Sequence, residues 1–144
     1  KPFWLKPVLR LIMGTAASLG CSSLKDVPES LRCDRKTVLR FVERDGLSLR
    51  YAAEVCKEDR EVVLAAVSDN GCALEWAADS CKHDRQIVIA AVTESGRALR
   101  FAAEESCKRD PEIVLTAVQQ DWHALEFAAG SCKSDVEVVR TAAM

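Results

Sequence analysis

The sequence predicts an all-α protein, an α-solenoid of stacked short helix-turn-helix repeats. From Asp34 onward the chain repeats itself at intervals of 25 or 26 residues. Within each repeat the apolar residues recur at helical rather than alternating spacing. The segments marked by this spacing are too short to be stable alone, so the repeats must stack and share one continuous core.

One aspartate marks the start of every repeat, and the other recurring residues keep a fixed distance from it. A leucine follows fifteen residues later and an aromatic residue seventeen later, and two alanines come directly after each aromatic residue. The aspartates are Asp34, Asp59, Asp84, Asp110 and Asp135; the leucines are Leu49, Leu74, Leu99 and Leu125; the aromatic residues are Tyr51, Trp76, Phe101 and Phe127. We expect the leucines to be buried, together with the pairs of mostly β-branched residues that follow each aspartate.

The first helix of each unit begins at the aspartate, whose carboxylate accepts hydrogen bonds from the free amides of the first turn. Pro111 follows Asp110 directly, at the first helical position, where its missing N–H costs nothing. A glycine is then expected to end the helix in the left-handed conformation, which glycine adopts most easily. These glycines are Gly46, Gly71 and Gly96. Trp122 takes the same position in the fourth unit, so we expect that turn to close differently.

A second helix of about nine residues, such as Ala73 to Ser80, is expected to follow each glycine. It leads through a Cys-Lys-x-Asp connection into the next unit. The paired alanines are expected to let helices approach closely, and the aromatic residues to fill the layer between repeats.

These patterns divide the chain into an apolar N-terminal arm, residues 1–23, and a repeat domain, residues 24–144. The repeat domain comprises a half repeat at 24–33, units at 34–58, 59–83, 84–109 and 110–134, and a terminal half unit at 135–144. Arg140 lies in an otherwise apolar column. A charge in that column indicates an exposed end, as is common in capping units.

The motif D-[RK]-x-V-V-L-x-A-V followed by G-x-A-L-x-[aromatic]-A-A resembles a family of short repeats known only as a domain of unknown function. Residues 59–78 and 84–103 carry it best, and the resemblance extends over about residues 24–144. Such repeats are abundant in proteins of dinoflagellates and other protists. The resemblance implies a helical repeat and assigns no catalytic residue.

Composition narrows the function classes. The chain has 144 residues, of which 49% are hydrophobic, which favours a single folded domain over disorder. A formal charge of −2 disfavours nucleic acid as the partner.

Seven cysteines, an odd number without a dense disulfide framework, favour a reducing intracellular compartment. Residues 8–19 are apolar but include Arg10 and are too short to cross a bilayer, so no transmembrane helix is expected.

A basic residue precedes every capping aspartate by two positions. This column is a candidate binding site for an acidic partner or lipid phosphates, and its residues are Arg32, Lys57, Lys82, Lys108 and Lys133. The alternative is that each cation offsets the dipole at the end of the second helix.

Two further columns have both structural and functional interpretations. The charge sixteen residues after each aspartate alternates in sign, which suggests pairs that set the register between units, or a coincidence. These residues are Arg50, Glu75, Arg100 and Glu126. A column of cysteines invites a disulfide or metal interpretation, but stacked helices lie too far apart for neighbouring thiols to bridge, and zinc-type spacing is absent. Buried, inert thiols are therefore expected at Cys56, Cys81, Cys107 and Cys132, with no bound metal and no cofactor.

His83 and His123 are the only histidines, and both lie at variable positions of the repeat. The sequence contains no nucleophile elbow, H-E-x-x-H helix or phosphate-binding glycine loop. We therefore expect a protein that is not an enzyme.

The N-terminal arm is the most distinctive segment outside the repeats. Its apolar and basic residues could dock on another subunit or lie at a membrane surface, or could pack back as a cap on the first repeat. The candidate contact residues are Phe3, Trp4, Leu5, Lys6, Leu9, Arg10 and Ile12. Because the chain begins with Lys1 rather than Met, we expect either a trimmed mature form or a fragment.

The function expected from these observations is that of a non-catalytic interaction or structural subunit of a larger assembly, with other protein subunits as partners. The arm and the resemblance to protist repeats favour a membrane-associated organellar complex. A photosynthetic complex at the thylakoid of a plastid is favoured over a mitochondrial one. The rival classes are a nucleic-acid-binding repeat protein and a thiol- or metal-binding protein.

Overall fold

The computed structural model describes residues 20–103 and 106–144, and it confirms the all-α solenoid. Within these ranges every regular element is a helix and none is a strand. Each unit has one long helix, a 3₁₀ segment and a connecting helix of about one turn, and like elements of successive units contact each other. No helix in the described part of the chain combines the length and the apolar character needed to span a membrane.

The long helices begin as predicted. They comprise Arg35–Val42, Arg60–Asp69, Arg85–Glu94, Pro111–Gln120 and Val136–Ala143, and each is capped by the preceding aspartate. Asp59 Oδ1, for example, accepts hydrogen bonds from the N–H groups of Glu61 (3.0 Å) and Val62 (3.2 Å). One face of each long helix packs into the core. In the helix Arg60–Asp69 this face consists of Val62, Val63, Ala66 and Val67.

The prediction of a nine-residue second helix in each unit is wrong. The chain forms a 3₁₀ segment, then two extended alanines, then the connecting helix. The 3₁₀ segments are Leu24–Asp26, Gly46–Tyr51, Gly71–Trp76, Gly96–Phe101 and Trp122–Phe127. The connecting helices are Glu29–Arg32, Glu54–Glu58, Asp79–Lys82, Gly130–Lys133 and, in 3₁₀ form, Cys107–Arg109.

A hydrogen bond between units explains the break at the alanines. Ala77 and Ala78 have ψ of 152° and 157°, and the Ala78 N–H donates to the carbonyl oxygen of Lys57 in the preceding unit (3.0 Å). The same bond joins Ala53 to Arg32, Ala103 to Lys82, and Ala129 to Lys108. A continuous helix would have used these N–H groups within itself, so stacking overrides the high helix propensity of alanine.

The glycines of the repeat do not end the long helices in the left-handed conformation, contrary to prediction. Among the described residues only Gly20 has a positive φ. Gly71 instead begins a 3₁₀ segment that touches the long helix of the next unit, where an added Cβ would lie 2.2 Å from the carbonyl oxygen of Ala91. Gly46 and Gly96 have the same environment, at 2.2 Å from Ala66 and 2.3 Å from Ala117. Glycine is needed because two backbones meet there.

The turn at Trp122 closes as the others do, so the expectation of a different closure is also wrong. Asp121, which caps this 3₁₀ segment, has φ −149° and ψ 113°, close to −146° and 109° at Asn70. No left-handed residue is required in this turn, and the Trp122 side chain is 61% exposed.

Burial follows the predicted columns in the interior and departs from them at the C-terminal end. Leu49, Leu74 and Leu99 are fully buried, whereas Leu125 is half-buried because only the terminal half unit follows it. In that half unit Val138 is buried, Val139 is 43% exposed, against expectation, and Arg140 is exposed, as expected. The aromatic column, expected to fill the layer between repeats, is half-buried and packs against the edge of the core.

Candidate functional site

The 3₁₀ segments bring the aromatic column to one edge of the stack. Each ring belongs to the last residue of a 3₁₀ segment, and the alanine that follows has nearly the same backbone angles in all four units: φ −69° or −70° and ψ between 152° and 155°. The backbone therefore takes nearly the same course after each ring. We call this row of half-buried side chains the ring ladder: Tyr51, Trp76, Phe101 and Phe127.

Two exposed arginines lie in the ring ladder, and each contacts rings of two units. The Cζ atom of Arg50 is 4.9 Å from the centroid of Tyr51 and 5.3 Å from that of Trp76. Arg100 lies in the same way, 5.1 Å from Phe101 and 5.7 Å from Phe127. Such cation–π contacts contribute about 0.5–1 kcal/mol each at exposed sites. They also restrict the conformations of two long side chains.

The alternating charges do not pair with one another. In the described part of the chain no ion pair joins Arg50, Glu75, Arg100 or Glu126, because the arginines turn to the rings. The carboxylates of Glu75 and Glu126 are exposed. The ion pairs expected to set the register in this column are thus replaced by contacts between arginines and rings.

Ion pairs between units lie instead at the starts of the long helices and, for Arg97 with Asp121, at the start of a 3₁₀ segment. The sequence pattern had not been interpreted in this way. The arginine after a capping aspartate donates from Nε to the capping aspartate of the next unit, at 2.8 to 3.0 Å. The pairs are Arg35 with Asp59, Arg60 with Asp84, and Arg85 with Asp110. The recurring Asp-Arg dipeptide was the available signal. Burial alone would raise the pKa of Asp84, but the hydrogen bonds from Arg60 and from the helix amides outweigh it and lower that pKa.

The predicted basic column belongs to the junction between units. Lys57 is 15% exposed and pairs with Glu54 at 2.8 Å, and its carbonyl oxygen accepts the Ala78 N–H. Lys82 and Lys108 are also half-buried, and Lys133 is exposed. Lys133 also lines a cavity together with Leu125 and Glu126. The role of the column in binding an acidic partner remains a prediction.

A cavity of about 360 Å³ lies at the C-terminal end of the ring ladder. It is lined by Trp122, His123, Leu125, Glu126 and Lys133. The rings of Trp122 and His123 stack with centroids 3.7 Å apart, and His123 Nδ1 lies 2.8 Å from Asp121 Oδ1. Hydrogen bonds from His123 and Arg97 lower the pKa of Asp121 to about 2.

The thiols of the cysteine column are buried, as predicted. Their S–H groups donate to backbone carbonyl oxygens of the preceding unit. Cys81 Sγ lies 3.7 Å from the carbonyl oxygens of both Lys57 and Glu58. Burial raises the pKa of Cys56 and of Cys81, which disfavours the reactive thiolate. The exposed His83 contacts the carbonyl oxygen of Asp79 in its own helix. Across the described residues no three side chains of metal-binding type are grouped to hold an ion.

The candidate residues of the N-terminal arm lie outside the described residues. These are Phe3, Trp4, Leu5, Lys6, Leu9, Arg10 and Ile12. Their docking on a partner remains a prediction.

The stacked units define a helical-repeat protein. A family model described as "Domain of unknown function (DUF4116)" matches residues 10–55 and again residues 59–107. The two matches cover more than half of the chain, which therefore belongs to this family. Each match is about as long as two of the repeat units, and the first one includes residues 10–23 of the predicted arm. No curated protein and no solved structure matches the chain.

Proposed function

We propose that this chain is a non-catalytic protein-binding subunit. Its docking strip is the ring ladder together with the charged residue that precedes each ring. The observation that supports the proposal most directly is that Arg50 and Arg100 are exposed, yet each is held against two rings. A side chain ordered before binding loses less conformational entropy when a partner arrives. Arginine and the large aromatic residues are also the types that most often dominate the energy of protein interfaces.

The charge pattern of the strip favours a protein partner. Two cations alternate with the two exposed carboxylates of Glu75 and Glu126, and the whole chain has a formal charge of only −2. A nucleic-acid surface would be repelled by the carboxylates, whereas a protein surface can offer both signs of charge.

Membership of a larger organellar assembly is proposed from the sequence alone. A larger organellar assembly, with a plastid membrane complex favoured over a mitochondrial one, would use the arm as a second contact. That part of the proposal is separate from the ring ladder and has its own test, which is deletion of residues 1–18 followed by a measurement of co-sedimentation with membranes.

Capture of partners by charge-reversed variants tests the docking strip. The full chain is immobilised, exposed to an extract of its source cells, and the retained proteins are quantified by mass spectrometry. The double variant Arg50→Glu/Arg100→Glu is expected to lose the partner that the unmodified chain retains. The control is Arg40→Glu/Arg140→Glu, which reverses two exposed arginines outside the ladder. Equal retention by both variants would contradict the proposal.

A further inference from the structure

In one gap of the ring ladder, none of the described residues places an arginine between the rings. The gap between Tyr51 and Trp76 holds Arg50, and the gap between Phe101 and Phe127 holds Arg100. Between these two lies the gap flanked by Trp76 and Phe101, and the residue at the equivalent position there is Glu75.

The backbone around the gap between Trp76 and Phe101 matches the backbone around the two occupied gaps. One guanidinium reaches both rings of each occupied gap, so those ring centroids are at most about 10 or 11 Å apart. Ala77 and Ala102, which follow the two flanking rings, have φ/ψ of −70°/152° and −69°/155°, as against −69°/153° at Ala52. Neighbouring 3₁₀ segments contact each other at all three steps, and this shared stacking predicts a similar separation of Trp76 and Phe101.

Glu75 gives this gap the opposite charge from its neighbours. Its side chain is exposed and makes no ion pair within the described residues. An incoming cation would meet a carboxylate in addition to two ring faces. Arg50 is shared between Tyr51 and Trp76, and Arg100 between Phe101 and Phe127, so among the described residues no arginine is shared between Trp76 and Phe101.

We propose that the gap between Trp76 and Phe101 binds an arginine side chain of the protein partner, which completes the ladder. This rests on the function proposed above. A guanidinium is planar, stacks on aromatic faces and forms two parallel hydrogen bonds with a carboxylate, whereas a lysine ammonium is a compact, strongly hydrated charge. The chain's own use of arginine in both other gaps favours the same group here.

Titration with a short peptide tests the site itself. The probe is acetyl-Gly-Ser-Arg-Ser-Gly-amide, and the readout is the indole N–H signal of Trp76 in a ¹H–¹⁵N NMR spectrum, assigned with the Trp76→Phe variant. The arginine peptide is expected to shift this signal in a saturable way, a lysine peptide to bind more weakly, and a citrulline peptide, which is neutral, to leave it unchanged. An equal shift with arginine and citrulline would overturn the proposal.

Two substitutions of Glu75 test its carboxylate, and a substitution of Glu58 is the matched control. Glu75→Gln is expected to lower the affinity for the arginine peptide at least threefold, whereas Glu58→Gln, at another exposed carboxylate, leaves it unchanged. Equal effects of the two substitutions would contradict the site. Glu75→Arg is expected to fill the gap with the chain's own guanidinium and to abolish peptide binding, with the melting temperature maintained. Peptide binding that persists in a folded Glu75→Arg variant would overturn the proposal.

Partner capture distinguishes this inference from the proposed function. If Glu75→Arg retains the partner that Arg50→Glu/Arg100→Glu loses, the arginine site is wrong and the docking strip stands. If the unmodified chain retains no protein that depends on the ladder, the proposed function is wrong, whatever the peptide titration gives.

Discussion

At the scale of single residues, close approach between units decides which side chains are accepted. Gly71 and Gly130 form a matched pair for testing this. A Cβ at Gly71 would lie 2.2 Å from the carbonyl oxygen of Ala91, whereas a Cβ at Gly130 would have no heavy atom within 4 Å. Neither glycine has a positive φ, so the substitutions differ in packing rather than in backbone strain.

We expect Gly71→Ala to lower the free energy of unfolding by about 1–3 kcal/mol, the usual cost of forcing an extra methyl group into a packed interior. Gly130→Ala is expected to leave stability unchanged or raise it by up to about 1 kcal/mol, because alanine is the better residue in a helix. Urea denaturation followed by circular dichroism measures both. Similar effects of the two substitutions would contradict the stacking contact at Gly71.

The same column shows what the sequence can and cannot reveal about a residue. The period of Gly46, Gly71 and Gly96 was visible, but the reason for glycine was not, because the contacting carbonyl belongs to a segment about 20 residues further along. Likewise the alternation of Arg50 and Glu75 was visible in the sequence. Which rings Arg50 contacts was not, because one of them belongs to the next unit and its position depends on how the units stack.

At the scale of elements, local signals were sufficient for the long helices and insufficient for the rest of each unit. An aspartate cap acts on amides two or three residues away, so the helix starts at Asp59 and Asp110 could be predicted from the sequence. The break after Trp76 depends on a hydrogen bond from Ala78 to Lys57 of the preceding unit. Nothing in an Ala-Ala pair signals such a partner, because alanine alone favours continuation of the helix.

Asp84 links two elements, and its substitution tests the helix starts. Its carboxylate accepts from the amides of Gln86 (2.9 Å) and Ile87 (3.3 Å) and from Arg60 Nε (2.9 Å). Asp84→Ala is expected to cost about 1–2 kcal/mol of stability through loss of the cap. Asp84→Asn, which keeps an acceptor for the amides and removes the charge that pairs with Arg60, is expected to cost less.

The pH dependence of stability gives an independent check on Asp84. Its pKa is lower in the folded chain than in the unfolded chain, so its contribution is complete above the unfolded value, near 4, and is lost as the pH falls toward the folded value. Below neutral pH the unmodified chain should therefore lose more stability than Asp84→Ala does, in thermal melts between about pH 5 and 3. Parallel losses in the two proteins would show that the ionised Asp84 carboxylate, with its bonds to Arg60 and to the helix amides, contributes nothing to the pH dependence.

At the scale of the whole molecule, stability is the sum of each unit and its contacts with its neighbours. The helix Arg60–Asp69 has a long helix on both sides and buries Val62, Val63, Ala66 and Val67. Among the described helices Val136–Ala143 packs against the preceding long helix, and it buries only Val138. Stability should therefore fall from the middle of the stack toward this end.

Hydrogen exchange measures that gradient residue by residue. We expect the amides of Val139 to Ala143 to exchange at least about tenfold faster, relative to the unfolded chain, than those of Val63 to Val67, because local opening exposes little apolar surface at the end and much in the middle. Arg140→Leu restores the apolar residue of this column, and it is expected to slow exchange in the last helix and leave the middle unchanged. Equal protection of the two helices in the unmodified chain would mean that the array opens as one cooperative unit. In that case the free energy of unfolding could not be divided among repeats, and the cost of Gly71→Ala would appear equally at every helix.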